Sequence, residues 1–265
     1  VVTLSAIFTP DQPPEQILPV AAAAEAAGMT HLWVWEDCFK ESGIAAATAM
    51  LATTSRLTVG IGLLPVPLRN VALTAMELAT VSRLFPGRLM PGIGHGVLSW
   101  MGQVGARAES PLTLLREYTS ALYALLHGET VTVRGRYVNL DEVALDWPPA
   151  VPPPLLVGGV KPRTVALAGE LADGVIISSG PSPGEIRATA GHFRASRPDG
   201  AGPGVVVVFT HACADSPARD IAAMVSEYAA AGATHVAVNA DERDADLERF
   251  VTLLAREVSP LVRPD

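Results

Sequence analysis

A histidine and an Asp-Cys pair are the side chains of this chain best suited to moving protons. His95 stands between two glycines in GIGHG (92–96). Glycine lets a backbone and a ligand approach closely, and an imidazole titrates near neutrality, so His95 suits proton transfer to a ring nitrogen or to a substrate. Asp37 and Cys38 follow the apolar run HLWVWE (31–36). Asp37 reads either as a ligand contact or as a loop or helix-cap carboxylate. A thiol is a poor base until ionised, so Cys38 reads either as a catalytic group or as a small spacer. His211 is the one other histidine near the end of an apolar run.

A second constellation suits an anion. The run PLLVGG (154–159) ends in Gly158 and Gly159, and Val160, Lys161 and Pro162 lead into a helix pattern. A helix N-terminus carries unsatisfied N–H donors and about half a positive charge, and proline in the first turn wastes no donor. Ser178, Ser179 and Gly180 close the next run and add hydroxyl and amide donors. The pattern reads as a berth for the phosphate end of a large cofactor; two ordinary strand-to-helix turns are the competing reading. A third stretch, GIGLLPVPLRN (60–70), places Gly62, Leu63, Leu64 and Pro65 where a core strand rarely tolerates Gly and Pro.

Other chemistries find no support. No H-E-x-x-H, Cys-His cluster or paired-carboxylate spacing suggests a metal, and no G-x-S-x-G marks a hydrolase elbow. Lys40 and Lys161 are the sole lysines, and neither sits inside an apolar run where a Schiff-base lyase would need it. The run Asp241 to Asp244 reads as a solvated helix cap.

The elements that must position these groups alternate regularly. Strand candidates fall at 1–8, 31–36, 57–65, 88–94, 154–159, 174–179, 205–213 and 235–240, with helix candidates at 14–27, 44–53, 70–85, 111–127, 162–172, 183–196, 217–231 and 244–257. Eight strand-helix pairs in 265 residues, roughly 33 each, predict a TIM (β/α)8 barrel. Continuous apolar strands fit a sheet covered on both faces. An open Rossmann-like sheet is the rival, weakened by the lack of an early G-x-G-x-x-G. EAAGMTHLWV (25–34) and AAAGATHVAV (229–238) echo one another. The segment GETVTVRGRYVNLDEVALDW (128–147) breaks the rhythm as a β-hairpin insertion, about 128–150, followed by a proline-rich connector. One domain over 1–265 accommodates all of it.

Composition bounds the partners. The chain is 49% hydrophobic with 27 acidic and 19 basic residues, which argues against general nucleic-acid binding. Two cysteines make no disulfide framework. No apolar run reaches the roughly 18 residues of a membrane span, and the N-terminal residues lack a signal-peptide pattern, so a cytoplasmic location is expected.

LLHGETVTVRGRYVNLDEVAL, PPLLVGG and ALAGELADGVIISSG, with RLTVGIGLLPVPLRN and WVWED before them, resemble the bacterial luciferase-like flavin or F420-dependent oxidoreductases across residues 1–258. The resemblance implies a TIM barrel with an insertion, commonly a dimer, with F420 or alternatively FMN across the carboxyl ends of the strands. It implies a bulge with a cis peptide among Gly62, Leu63 and Leu64 behind the ring, and a contact from Asp37 to the ring's polar edge. Cys38 departs from the pattern, standing where many F420-dependent relatives have histidine. Val97 stands where sugar-phosphate-oxidising relatives place a glutamate, which argues against that substrate. Ser99, Trp100, Met101 and Gln103 are expected in a loop, with Trp100 a candidate cavity wall. The resulting expectation is an F420-dependent oxidoreductase moving hydride between the deazaflavin and a small organic substrate. An FMN-dependent monooxygenase and a non-catalytic F420-binding carrier are the alternatives.

Overall fold

The computed structural model describes residues 2–241 and 245–262. In chain order the strands are β1 (Thr3–Phe8), β2 (His31–Val34), β3 (Thr58–Pro65), β4 (Leu89–Gly94), β5 (Val131–Arg134), β6 (Asn139–Val143), β7 (Leu156–Gly158), β8 (Gly174–Ile177), β9 (Val205–Ala212) and β10 (His235–Ala240). Eight of them close a parallel barrel in the order β1-β10-β9-β8-β7-β4-β3-β2, while β5 and β6 pair apart from it. The helices are α1 (Ile17–Ala27), α2 (Gly43–Thr53), α3 (Val71–Leu84), α4 (Leu98–Gln103), α5 (Pro111–Leu126), α6 (Pro162–Leu171), α7 (Pro183–Ala195), α8 (Ala218–Ala230) and α9 (Leu247–Leu253). The closed barrel, not an open sheet, is therefore the architecture. None of these helices is long and apolar enough to cross a membrane.

Burial on both faces explains the apolar strands. One side-chain set faces the helices; the other, including Ile7, Trp33, Met90, Leu156, Ile176, Val207 and Phe209, fills the barrel interior. Interior positions alternate with outward ones along each strand. Trp33 meets Phe209 edge-on at 5.2 Å. Such bulk needs clearance opposite, and β3 supplies it: a Cβ at Gly60 would collide with Trp33, and one at Gly62 with Phe209. The glycines that look misplaced in a core strand are the packing complement of two aromatic rings.

The two echoing segments meet. Gly28 and Gly232, at φ 93° and 113°, end α1 and α8 in a left-handed conformation that glycine adopts without penalty. Each is followed by a Thr-His pair, and His31 on β2 and His235 on β10 lie edge-to-face at 5.3 Å, flanking β1 at its start. Burial, and then His31's charge, push the His235 pKa down to about 4.

The insertion is a hairpin docked by one carboxylate. Glu117 on α5 accepts the backbone N–H groups of Arg136, Tyr137 and Val138 at 2.9, 2.8 and 3.0 Å, and the Tyr137 hydroxyl accepts the Ser110 N–H at 2.7 Å. Although burial opposes it, this backbone donation holds the Glu117 carboxyl below its ordinary range.

Local side chains set several helix starts. Asn70 caps α3 through Ala72 N–H at 2.9 Å. Ser110 does not cap α5; its hydroxyl bonds Thr113 instead. A capping box unforeseen from the sequence, Ser182 with Glu185, opens α7. The expected loop at 99–103 is α4, which buries Met101 against Gly96. Of the charge run at 241–244, only Asp241 lies within the described residues.

Candidate active site

The carboxyl ends of β2, β3, β4, β7, β8 and β9 enclose a cavity of about 440 Å³. Its floor is set by Leu63. The Gly62–Leu63 peptide is cis, and the β3–β4 register shifts between Ile61 and Leu64. Leu63 projects into a well walled by Gly94 and Gly158, where a Cβ on either glycine would crowd its Cδ2 atom. Trp35, Trp100 and Phe209 stand around it. The result is an apolar floor with aromatic sides.

His95 lies in the wall, half-buried. Its Nε2 is 3.3 Å from the hydroxyl of Thr164 on α6, and its Nδ1 is buried with no hydrogen-bond partner. Burial lowers its pKa, the charge of Lys161 lowers it further, and the Pro111 backbone works the other way. The imidazole is therefore neutral at pH 7, with one N–H and one lone pair. Thr164 is itself buried, and a Cβ at Gly159 would collide with it.

The segment after the second strand delivers acids to the same cavity. Asp37 lines the cavity, and burial is the main cause that raises its pKa, with Asp11 adding to the rise and Lys40 opposing it. Glu36, passed over in the sequence, also lines the cavity. Its carboxylate is gripped by both terminal nitrogens of Arg69 and accepts the Gly43 N–H at 2.8 Å. The pair is largely buried, with side-chain exposures of 17% for Arg69 and 7% for Glu36, so removing one partner would strand the other's charge.

Beyond Val160, Ser178 and Ser179, which border both, an adjoining groove of about 590 Å³ opens between the N-terminus of α6 and the flank of α7, where Glu185, Thr189 and His192 line it. Gly180 lines this groove and not the cavity.

The structure thus brings together Asp37, Gly62, Leu63, Pro65, His95, Gly158, Gly159, Val160, Ser178 and Ser179. It does not bring in Leu64, which is buried in the helix-facing core, nor Cys38, which lies outside the cavity lining. Burial, then the negative charges of Glu36 and Asp37, raise the Cys38 pKa, so it stays a neutral thiol. His211 is exposed beside Gly180 and does not line the cavity. The terminal glycine pair also needs a corrected reason: the Gly159 N–H donates to the Ile176 carbonyl at 3.1 Å and the Gly180 N–H to the Phe209 carbonyl at 3.3 Å. These amides are already engaged, and Gly158 and Gly159 are glycine because Leu63 and Thr164 need the space. Trp35, Phe209 and Ile176 were missed; counting alternate interior positions from Trp33 and Val207 would have found the first two.

A closed parallel barrel whose chemistry-bearing side chains converge on one cavity at the strands' carboxyl ends is the scaffold of a barrel enzyme. Residues 2–259 match the luciferase-like monooxygenase family, and the chain belongs to it. It is 28% identical over 172 residues to 5,10-methylenetetrahydromethanopterin reductase of Methanolobus tindarius, covering 65% of this chain and 52% of that protein. It is 30% identical over 190 residues to F420-dependent glucose-6-phosphate dehydrogenase of Nakamurella multipartita, covering 64% of this chain and 54% of that protein. The matched stretches span about half the length of these two relatives. The fold is also that of an F420-dependent secondary alcohol dehydrogenase, solved in complex with an F420-acetone adduct, with a TM-score of 0.87 at 17% identity over 99% of both chains.

Proposed function

We propose that this protein is an F420-dependent oxidoreductase acting on a small organic substrate. The observation that carries the reading is the pairing of an apolar, aromatic-sided cavity with an adjoining groove at the N-terminus of α6, joined along Val160, Ser178 and Ser179. That shape and polarity fit a flat heteroaromatic head with an anionic tail. The buried, unpartnered Trp35 Nε1 beside the cavity is a donor that a ring carbonyl or nitrogen would satisfy. Similarity to an F420-dependent dehydrogenase favours F420 over FMN.

Leu63, Pro65, Gly62 and Gly158 would hold the ring from behind, Asp37 would meet its polar edge, and Ser178, Ser179, Gly180 and the first turn of α6 would meet the tail. Bound F420 supplies two-electron hydride chemistry at its deazaflavin. The chain's own part is to orient the substrate, exclude water with Trp35, Trp100 and Phe209, and handle the proton. His95, neutral at pH 7 and steadied by Thr164, accepts a proton from a substrate hydroxyl in one direction and returns it to a carbonyl oxygen in the other.

A cytoplasmic homodimer belongs to the same proposal. Leu73, Met76 and Leu84 on α3, with Trp147 nearby, are exposed and offer an apolar face for it. Titrating the protein with F420 and with FMN, followed by the absorbance and fluorescence of each, tests the cofactor. Saturable F420 binding with none for FMN is expected; the reverse would defeat the reading.

A further inference from the structure

We infer, building on the function proposed above, that the mouth cavity selects an uncharged, largely apolar alcohol or carbonyl compound and rejects anionic substrates, phosphorylated sugars among them. The carrying observation is the inventory of its wall. Beyond the Leu63 floor that the ring would cover, Val97, Trp100, Ile176 and Phe209 give it hydrocarbon and aromatic surface, and its ionisable members among the described residues are Glu36, Asp37 and His95, with no lysine or arginine.

Two of the cations nearby are already committed. Arg69 is held by Glu36 and approaches Glu77 at 3.6 Å, and Lys40 is paired with Asp11 at 2.5 Å. Lys161 stands at the start of α6, between Val160 and Pro162, which both line the adjoining groove. Lys161 thus flanks the groove without lining it, and the cavity wall itself holds no cationic side chain among the described residues. An anion entering the cavity would shed its water and find no lysine or arginine in the wall to replace it. A cation is not matched either. The Glu36 charge is spent on Arg69, and burial biases Asp37 toward its neutral form. A neutral imidazole at His95 is left as a hydrogen-bonding partner for an uncharged oxygen.

Val97 marks the place where this choice can be reversed. It sits at the N-cap of α4, is 46% exposed, and lines the cavity, so a longer polar side chain fits there without disturbing the core.

The test uses cyclohexanol, cyclohexanecarboxylate and cyclohexylamine, three probes of like size and different charge. Binding is read at pH 7 from tryptophan fluorescence, since Trp35 and Trp100 line the cavity, in the protein alone and in the protein saturated with F420. Cyclohexanol is expected to bind at least about tenfold more tightly than either charged probe. Val97→Lys is expected to bring the carboxylate level with the alcohol or ahead of it, with circular dichroism unchanged. Wild-type binding of the carboxylate or the amine equal to the alcohol would overturn the inference, as would an absence of any response to cyclohexanol or an unchanged ranking in a folded Val97→Lys protein. Failure to bind F420 while the charge ranking holds would strike the cofactor reading alone.

Discussion

At the scale of single residues, the site is built by clearances as much as by functional groups. Leu63 can lie on the cavity floor because Gly94 and Gly158 have no side chains, and Thr164 can reach His95 because Gly159 has none. Gly158→Ala should therefore displace Leu63, costing about 1–3 kcal/mol through overpacking and weakening F420 binding by about tenfold or more; urea denaturation and an F420 titration of the variant measure the two effects. His95 was legible because glycines on either side announce close approach, and Asp37 because it closes an apolar run. The reason for the glycine pair was not. Leu63 and Gly158 come from strands far apart in the chain, and His95 and Thr164 are 69 residues apart, so the contacts that explain them arise only when the barrel closes.

At the scale of elements, strand and helix positions followed from hydrophobic runs and their punctuation, since parallel strands buried on both faces leave an unbroken apolar signature. The cis bond fell in the stretch that the family resemblance marked, between Gly62 and Leu63. What escaped was short or cooperative. The six-residue α4 lacks the length for a periodic pattern, and the hairpin's docking depends on Glu117, an α5 residue with no local reason to stand out. Three backbone donors converge on that carboxylate. Glu117→Ala is expected to speed amide exchange at Arg136, Tyr137 and Val138 by at least tenfold, at a cost of about 1–3 kcal/mol for the lost acceptor. Hydrogen-exchange mass spectrometry should find the barrel strands protected as before.

At the scale of the whole molecule, the barrel carries its own acid sensitivity away from the cavity. His235 titrates near 4 in the folded protein against an ordinary 6.5. The unfolded chain therefore binds a proton that the folded one refuses, and stability present above pH 6.5 drains away as the pH falls toward about 4. Replacing the group by His235→Gln should flatten that part of the stability curve by on the order of 2 kcal/mol, as followed by urea unfolding at pH 7.5, 6 and 4.5; a variant with the wild-type slope would show that the pair of histidines does not set it. The same molecule divides its carboxyl-end face into an apolar, aromatic-sided cavity and a groove between the N-terminus of α6 and the flank of α7, and the proposed function needs one ligand to use both. A crystal structure of the protein with F420 is the most direct test. The deazaflavin is expected in the cavity with Leu63 behind it and the phosphate-bearing tail along Ser178, Ser179 and α6; a ring seated elsewhere, or a tail leaving the barrel away from α6 and α7, would contradict the proposed function.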